Sequence, residues 1–357
     1  MAISDLHGRP LGVLRLSLTA RCNLACPYCC PDGQEPSGLL SQGQRCQLVT
    51  TAVGLGVHTL RLTGGEPLLH QGLEELIAAL QPLRQRPAGD RRGRLATIAL
   101  TSNGVLLTAE RARALRAAGL DRITLSLDGG DGASVARMAG LNGGAAAGTV
   151  VLERVLAAID HARTAGFDPA LGQLKLNAVI QREANADQLL PLAALARERQ
   201  LELRLIEYMD VGSRNGWRPH QVLSAAAMVE RIGARWPLEP LGRPAQATAS
   251  TWRYRDGGGT LAAVASITAP FCGDCNRLRV SADGVAYTCL FASAGTDLRP
   301  WLKPGQEQAL AAALRALWHS RDDRYSEERQ QRLATTAVPT AAHTPTSTPA
   351  EMAYLGG

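Results

Sequence analysis

The chain has 357 residues, a net charge of +6, 45% hydrophobic residues and 20% charged ones, a balance that supports a folded core and excludes wholesale disorder. No run approaches the roughly 18 apolar residues of a membrane-spanning helix, and Met1-Ala2-Ile3-Ser4-Asp5 lacks the basic and apolar stretches of a secretory signal, so a cytoplasmic protein with no membrane partner is expected. All but two of the 38 basic residues are arginine, scattered singly, and aromatic residues make up only 4%; this offers no stacking platform for nucleic acid and suits a discrete anionic ligand better.

From Val13 to about Met209, β-type runs alternate with helical patterns. Strands are expected at Val13–Thr19, Val57–Thr63, Leu95–Thr101, Asp121–Asp128, Gln173–Ile180 and Leu201–Met209, and helices at Gly72–Leu80, Thr108–Ala118, Thr149–Ala165 and Ala186–Gln200. Six βα units imply a parallel sheet. Polar and unusual residues gather where strands end: Cys22–Cys29, Gly64-Gly65-Glu66-Pro67, Ser102-Asn103-Gly104, Ser126 with Asp128, and Met209. That rim is where ligands bind in βα barrels, so a barrel-like sheet is preferred to a doubly wound one. Strand alternation puts Arg15, Arg61 and Lys175 opposite the leucines of their strands. Facing inward, these three cations need acidic partners or an anionic ligand.

Residues 1–240 are read as this barrel, 241–332 as a smaller β-containing region, and 333–357 as a flexible tail ending in Gly356-Gly357. In the second region Leu241–Ser250 reads as a loop, followed by runs at Thr251–Asp256 and Thr260–Thr268. A hairpin turning at Asp283-Gly284 and a helix near Gln306–His319 complete it. Arg84–Arg94 reads as a loop insertion.

Eight cysteines stand in two sets with two outliers, Cys30 and Cys46, which in a reducing compartment points to metal chemistry more than disulfides. Cys22, Cys26 and Cys29 form CxxxCxxC. Three thiolates leave one corner of a 4Fe–4S cube open; zinc, with Cys30 or Cys46 as fourth ligand, is the alternative. Cys272, Cys275 and Cys289 are again three, and iron–sulfur and a zinc ribbon both remain open. A two-residue hairpin turn would set Cys289 opposite Leu278, leaving Arg277 and Arg279 to flank the metal on the other face. Their guanidinium forks match phosphate oxygens.

Together these residues resemble the radical S-adenosylmethionine (SAM) superfamily. CxxxCxxC alone carries that much; the second CxxC-x13-C set, Asn276-Arg277-Leu278-Arg279, Arg61-Leu62-Thr63-Gly64-Gly65-Glu66-Pro67 and the terminal double glycine narrow it to the molybdenum cofactor biosynthesis protein A family of GTP 3′,8-cyclases. The resemblance runs from about Leu11 to about Arg299 and resumes at the last two residues. It implies a partial (β/α)6 barrel and two 4Fe–4S clusters, held by Cys22, Cys26 and Cys29 and by Cys272, Cys275 and Cys289. Tyr28, Gly65, Ser126 and Met209 match SAM-contacting positions. Arg15, Arg61, Thr101, Lys175, Arg277, Leu278 and Arg279 match GTP-contacting ones, with Arg277, Arg279 and Lys175 as catalytic residues. The implied chemistry starts with electron transfer to SAM, whose 5′-deoxyadenosyl radical takes the ribose 3′ hydrogen of GTP; the carbon radical then attacks C8. The product would pass to the enzyme that forms cyclic pyranopterin monophosphate, and a homodimer is implied. Ala20 and Cys30 depart from the family's usual residues at positions that ligate no cluster. The competing readings are a radical SAM peptide- or RNA-modifying enzyme with a structural second cluster, and a zinc-stabilised binding protein.

Overall fold

The computed structural model describes residues 2–31, 33–329 and 350–356; Gly357 and residues 330–349 of the expected tail lie outside the described residues. Six βα units follow one another. They are β1 (Val13–Ser17) with α1 (Gln42–Gly54), β2 (Thr59–Thr63) with α2 (Leu73–Ala79) and α3 (Gln81–Arg84), β3 (Thr97–Ser102) with α4 (Ala109–Ala118), β4 (Arg122–Ser126) with α5 (Gly132–Met138) and α6 (Gly144–Thr164), β5 (Leu174–Ile180) with α7 (Leu189–Glu198), and β6 (Glu202–Glu207) with α8 (Ala225–Arg235).

Strands β1 to β6 are parallel and neighbour one another in chain order. A doubly wound sheet would reverse its order at a switch point; this winding is that of a barrel, left open. The remaining strands extend both edges of the same sheet. At the β6 edge lie β7 (Leu238–Gly242), β8 (Ser250–Tyr254) and β9 (Thr260–Val264), and at the β1 edge β10 (Arg277–Val280), β11 (Val285–Tyr287) and β12 (Thr296–Asp297). Both β9 and β10 run parallel to the barrel strand they join. Helix α9 (Glu307–His319) follows.

Two local expectations change. The stretch read as a loop from Leu241 begins inside β7, whose pairing with β8 covers the β-branched and aromatic run Thr251-Trp252. The hairpin between β10 and β11 turns on three residues, Ala282-Asp283-Gly284, not two. Ser281 and Val285 face each other, Ser281 Oγ takes the amide of Val285 at 2.9 Å, and Gly284 sits at φ +90°. The extra residue shifts the register by one, pairing Arg279 with Tyr287. Carried two residues further, that register sets Cys289 opposite Arg277, so it shares a face with Arg277 and Arg279 and not with Leu278.

The helix-facing side of the barrel is apolar: Leu14, Leu16, Leu60, Leu62, Leu100, Leu125, Leu176 and Leu205 are fully buried. The other side of each strand, with its arginines, lines the interior. Helix α5 positions the first cysteine loop. The amide of Ala25 bonds the carbonyl of Ala139 at 3.0 Å. Gly140, at φ +64°, lets the chains meet where a Cβ would stand 2.1 Å from the Ala25 oxygen. Helix α5 is in turn set by α6, since a Cβ on Gly148 would fall 1.8 Å from the Gly132 carbonyl. Gly148→Val should therefore force the two helices apart and cost at least about 1–3 kcal/mol as overpacking. A thermal melt of the metal-free chain checks this, and an unchanged melting temperature would refute the tight α5–α6 contact.

Candidate active site

At the carboxyl end of β1 the chain turns into the loop that carries the first triad. The carbonyl of Cys26 accepts the amides of both Cys29 and Cys30 at 3.0 Å, and Cys22 Sγ receives the Leu24 amide (3.4 Å) and Asn103 Nδ2 (3.7 Å). Burial pushes all three thiols up; Cys26 and Cys29 rise furthest because Asp128 and the neighbouring thiols add like charge. Bare thiolates are disfavoured here, and a bound cationic centre would offset that cost.

Glu66 holds the rim together. Fully buried, its carboxylate accepts the amides of Leu68 (2.9 Å) and Asn103 (2.8 Å) and the hydroxyl of Ser102 (2.8 Å). The amides of Gly65 and Glu66 bond the carbonyls of Thr19 and Arg21 at 2.8 Å. At Gly65 any Cβ would lie 2.2 Å from the Arg21 oxygen. The loops after β1, β2 and β3 are thus tied together at Glu66, the last two through its carboxylate and the first through the Gly65 and Glu66 amides. Across the rim, Tyr28 donates to Asp128 (2.7 Å), which also accepts the Val179 amide (2.7 Å). Burial lifts Asp128 to about 6 against both bonds.

The second triad lies at the opposite end of the strands. Cys272 and Cys275 precede β10, while β11 runs antiparallel and brings Cys289 back to them. Burial raises Cys289 to about 12. Burial also works to raise Cys275, but Arg277 and Arg321 outweigh it and bring this thiol down to about 7. Between the two ends, Arg279, Arg15 and Arg61 stand in register on the adjacent strands β10, β1 and β2. Burial and mutual repulsion pull Arg15 well below its usual value, Arg61 to about 9 and Arg279 to about 10.

One cavity of about 290 Å³ is lined by both triads, by Arg15, Arg61, Arg277 and Arg279, and by Tyr28, Gly65, Thr101, Ser126 and Met209. Of the residues singled out in the sequence, Lys175 and Leu278 are not on its wall. Lys175 gives its ammonium to Glu202 at 2.9 Å. Leu278 turns into the apolar layer, because it alternates with the two arginines. Cys30 and Cys46 line nothing in this cavity.

Strand reading missed other wall residues. In β6, Arg204 alternates with Leu203 and Leu205 and bonds Glu202 at 2.8 Å; the same parity argument, applied to that strand, would have found it. Asn177 Oδ1 and Thr101 Oγ1 are buried on the wall and meet no hydrogen-bonding partner among the described residues. They are sites that a polar ligand would satisfy. The terminal segment also enters. Met352, in a helical turn over Met352–Leu355, lines the cavity and packs with Tyr28, Met138 and Tyr208. Arg279 donates to the carbonyl of Gly356 at 3.3 Å. Tyr354 bonds Asp283 at 2.8 Å, and Glu351 accepts the Ser213 amide at 3.0 Å.

All eight cysteines are unbridged, and among the described residues no three His, Cys, Asp or Glu groups converge on a point where a single ion would sit. A 4Fe–4S cube takes each thiolate on a different iron and leaves a fourth iron open, so sets of three cysteines facing one chamber suit a cube better than a structural zinc ion, which takes four ligands. Among the described residues no helix is long and apolar enough to cross a membrane.

Residues 16–196 match the radical SAM superfamily, and residues 201–327 match the Molybdenum Cofactor Synthesis C family. A GTP 3′,8-cyclase of a Synechococcus strain is 62% identical over 99% of this chain and 98% of its own length. One from Xanthomonas campestris is 47% identical over 92% of each. Among solved structures, Streptococcus suis SuiB bound to its precursor peptide superposes with TM-score 0.62 at 13% identity, covering 96% of this chain and 71% of its own. The enzyme anSMEcpe with bound AdoMet gives 0.53 at 16%, covering 84% and 82%. At those identities the likeness is one of fold.

Because Tyr354 anchors the terminal segment through a charged hydrogen bond, Tyr354→Phe should weaken its docking by about 1.5–3 kcal/mol. Hydrogen exchange over residues 350–356 should rise, while the barrel strands stay protected; an unchanged exchange rate would show that Asp283 does not hold the segment.

Proposed function

The chain belongs to the radical SAM superfamily and, within it, to the GTP 3′,8-cyclases, and from that premise we propose how its cavity divides the work. It is an enzyme that uses a 4Fe–4S cluster and SAM to convert GTP to 3′,8-cyclo-7,8-dihydro-GTP, the first step of molybdenum cofactor biosynthesis. The observation that carries the proposal is that two three-cysteine sets and a row of arginines open on one cavity.

In this reading Cys22, Cys26 and Cys29 hold the first cluster and Cys272, Cys275 and Cys289 a second, each with one iron left for a small molecule. The first supplies, when bound, the electron that cleaves SAM and so generates a carbon radical. Everything else falls to the chain. Tyr28, Gly65, Ser126 and Met209 surround the rim position suited to SAM. There the Glu66-tied loops and the Tyr28–Asp128 bond fix the wall without a mobile charge. Arg279, Arg15 and Arg61 gather the triphosphate, whose negative charge offsets their mutual repulsion. Thr101 and Asn177 offer buried oxygens for the polar edge of the nucleotide.

Arg277 and Arg279, on the strand that follows Cys272 and Cys275, are assigned to hold the base end of GTP and the charge that develops there. Lys175, lowered first by burial, is the amine placed to hold or release a proton, and it reaches the wall only through Glu202 and Arg204. Leu278 contributes no side chain to this set, only its strand backbone. Met352 and Phe291 cover the chamber with apolar surface, which keeps water from a reactive radical. Residues 1–240 thus carry SAM chemistry and 241–332 the second cluster. By the same family argument the product goes on to the enzyme forming cyclic pyranopterin monophosphate. An external donor supplies electrons, and the enzyme works in the cytoplasm as a homodimer.

Anaerobic reconstitution should load about eight irons per chain, two cubes of four; stoichiometric zinc without brown colour would end the proposal. Cys22→Ala should abolish SAM cleavage, whereas Cys289→Ala should keep some uncoupled cleavage and lose cyclisation. Equal loss of both would contradict the division of labour. Arg61→Ala or Arg279→Ala should weaken GTP binding by about 1.5–3 kcal/mol each, read by calorimetry in the presence of a non-cleaved SAM analogue. Unchanged affinity would remove that residue from the nucleotide site.

A further inference from the structure

Three buried residues from the two ends of the chain grip the loop of the second triad. Asp5 accepts Arg9 Nε at 2.5 Å and Arg321 Nη1 at 3.2 Å, and all three side chains are almost fully enclosed. Each arginine then spends a second bond on a cysteine. Arg9 Nη1 donates to the carbonyl of Cys272 at 2.8 Å, and Arg321 Nη1 to that of Cys275 at 2.7 Å. Arg321 alone goes further. It lines the cavity beside the three thiols, pairs also with Asp323 at 3.4 Å, and its charge helps hold the Cys275 thiol down. Its plane is fixed over Trp318, 4.7 Å from the ring centre, and Trp318 Nε1 bonds the Arg9 carbonyl at 3.0 Å.

Loop anchoring needs only the carbonyl bonds. A guanidinium on the wall beside the thiols does something else, because a cluster gains negative charge when reduced and positive charge held next to it raises its potential. We infer that Arg321, oriented by Asp5 and Arg9, is a positioning residue that raises the electron affinity of the cofactor at Cys272, Cys275 and Cys289. This rests on the reading that those cysteines hold a 4Fe–4S cluster.

The test uses the full-length chain carrying Cys22→Ala, Cys26→Ala and Cys29→Ala, so that only the second triad can bind iron. Reconstituted anaerobically, this parent should hold about four irons; no iron would overturn the second-cluster reading and the inference with it. An EPR-monitored redox titration then compares Arg321 with Arg321→Gln and Arg321→Lys. With iron content retained, Arg321→Gln should show an about tenfold lower ratio of reduced to oxidised clusters at the parent's midpoint, its own midpoint lying about 59 mV more negative for one electron; Arg321→Lys, which keeps the charge, should shift less. Equal midpoints in all three would leave Arg321 as a loop anchor and overturn the inference while the cluster reading stands. Should Arg321→Gln fail to hold iron, Arg321→Met, which also removes the charge, decides by the same criterion: a lowered midpoint supports the inference and an unmoved one overturns it.

Discussion

Three guanidiniums in register on adjacent strands, Arg279, Arg15 and Arg61, are the constraint around which the barrel interior is arranged. Neighbouring strands lie only about 4.8 Å apart, and at an effective dielectric of about 20 two like charges at that spacing repel by roughly 3 kcal/mol. Like charges opposite one another ordinarily weaken a sheet. They persist here because the opposite face of the same strands is fully buried leucine, and because the row ends beside thiols and the carbonyl of Gly356 on Arg279. A buried cationic row whose members repel one another makes a receptor for a polyanion, and a nucleoside triphosphate has the charge and the length to meet it.

Burial of carboxylates does the complementary task at the rim. Glu66 is placed where the loops after β2 and β3 need an acceptor, and its carboxylate is taken up by Leu68, Ser102 and Asn103. Glu202 is shared by Lys175 and Arg204, so the cations near the cavity floor converge on one carboxylate, while in the row Arg279 meets the carbonyl of Gly356. The interior is therefore graded, from charge shared with a carboxylate at the floor of β5 and β6 to arginines that repel one another on β10, β1 and β2.

Much of this was legible in the residues. Period-2 alternation in β1 and β2 set Arg15 and Arg61 inward, and residues at strand ends marked the rim, because both follow from local geometry alone. Other features were not. Lys175 obeys the same alternation yet turns to Glu202, a partner on the next strand that no single-strand pattern reveals. The place of Cys289 depended on one residue in a turn. Asp283-Gly284 suggested a two-residue loop, but Ser281 Oγ takes the Val285 amide and lengthens it to three. Helix α1 left its signature in Ser41 and Gln44, which form a reciprocal cap. Arg9, Asp5 and Arg321 were invisible because their meeting joins segments more than three hundred residues apart, and no local period encodes such a contact.

The two triads also differ in their electrical surroundings. Cys26 and Cys29 sit near Asp128, with Glu351 close to Cys29; Cys275 sits among Arg277 and Arg321. Negative neighbours hold a cluster's potential down and positive ones raise it. Cleaving SAM calls for a strong reductant, and the acidic setting serves that end. Binding a nucleotide through an open iron calls for a centre that withdraws electron density and stays put, and the basic setting serves that one. If each triad holds a cluster, the same three-cysteine device, placed at opposite ends of the same strands, is made into two different tools by which side chains the fold packs behind it.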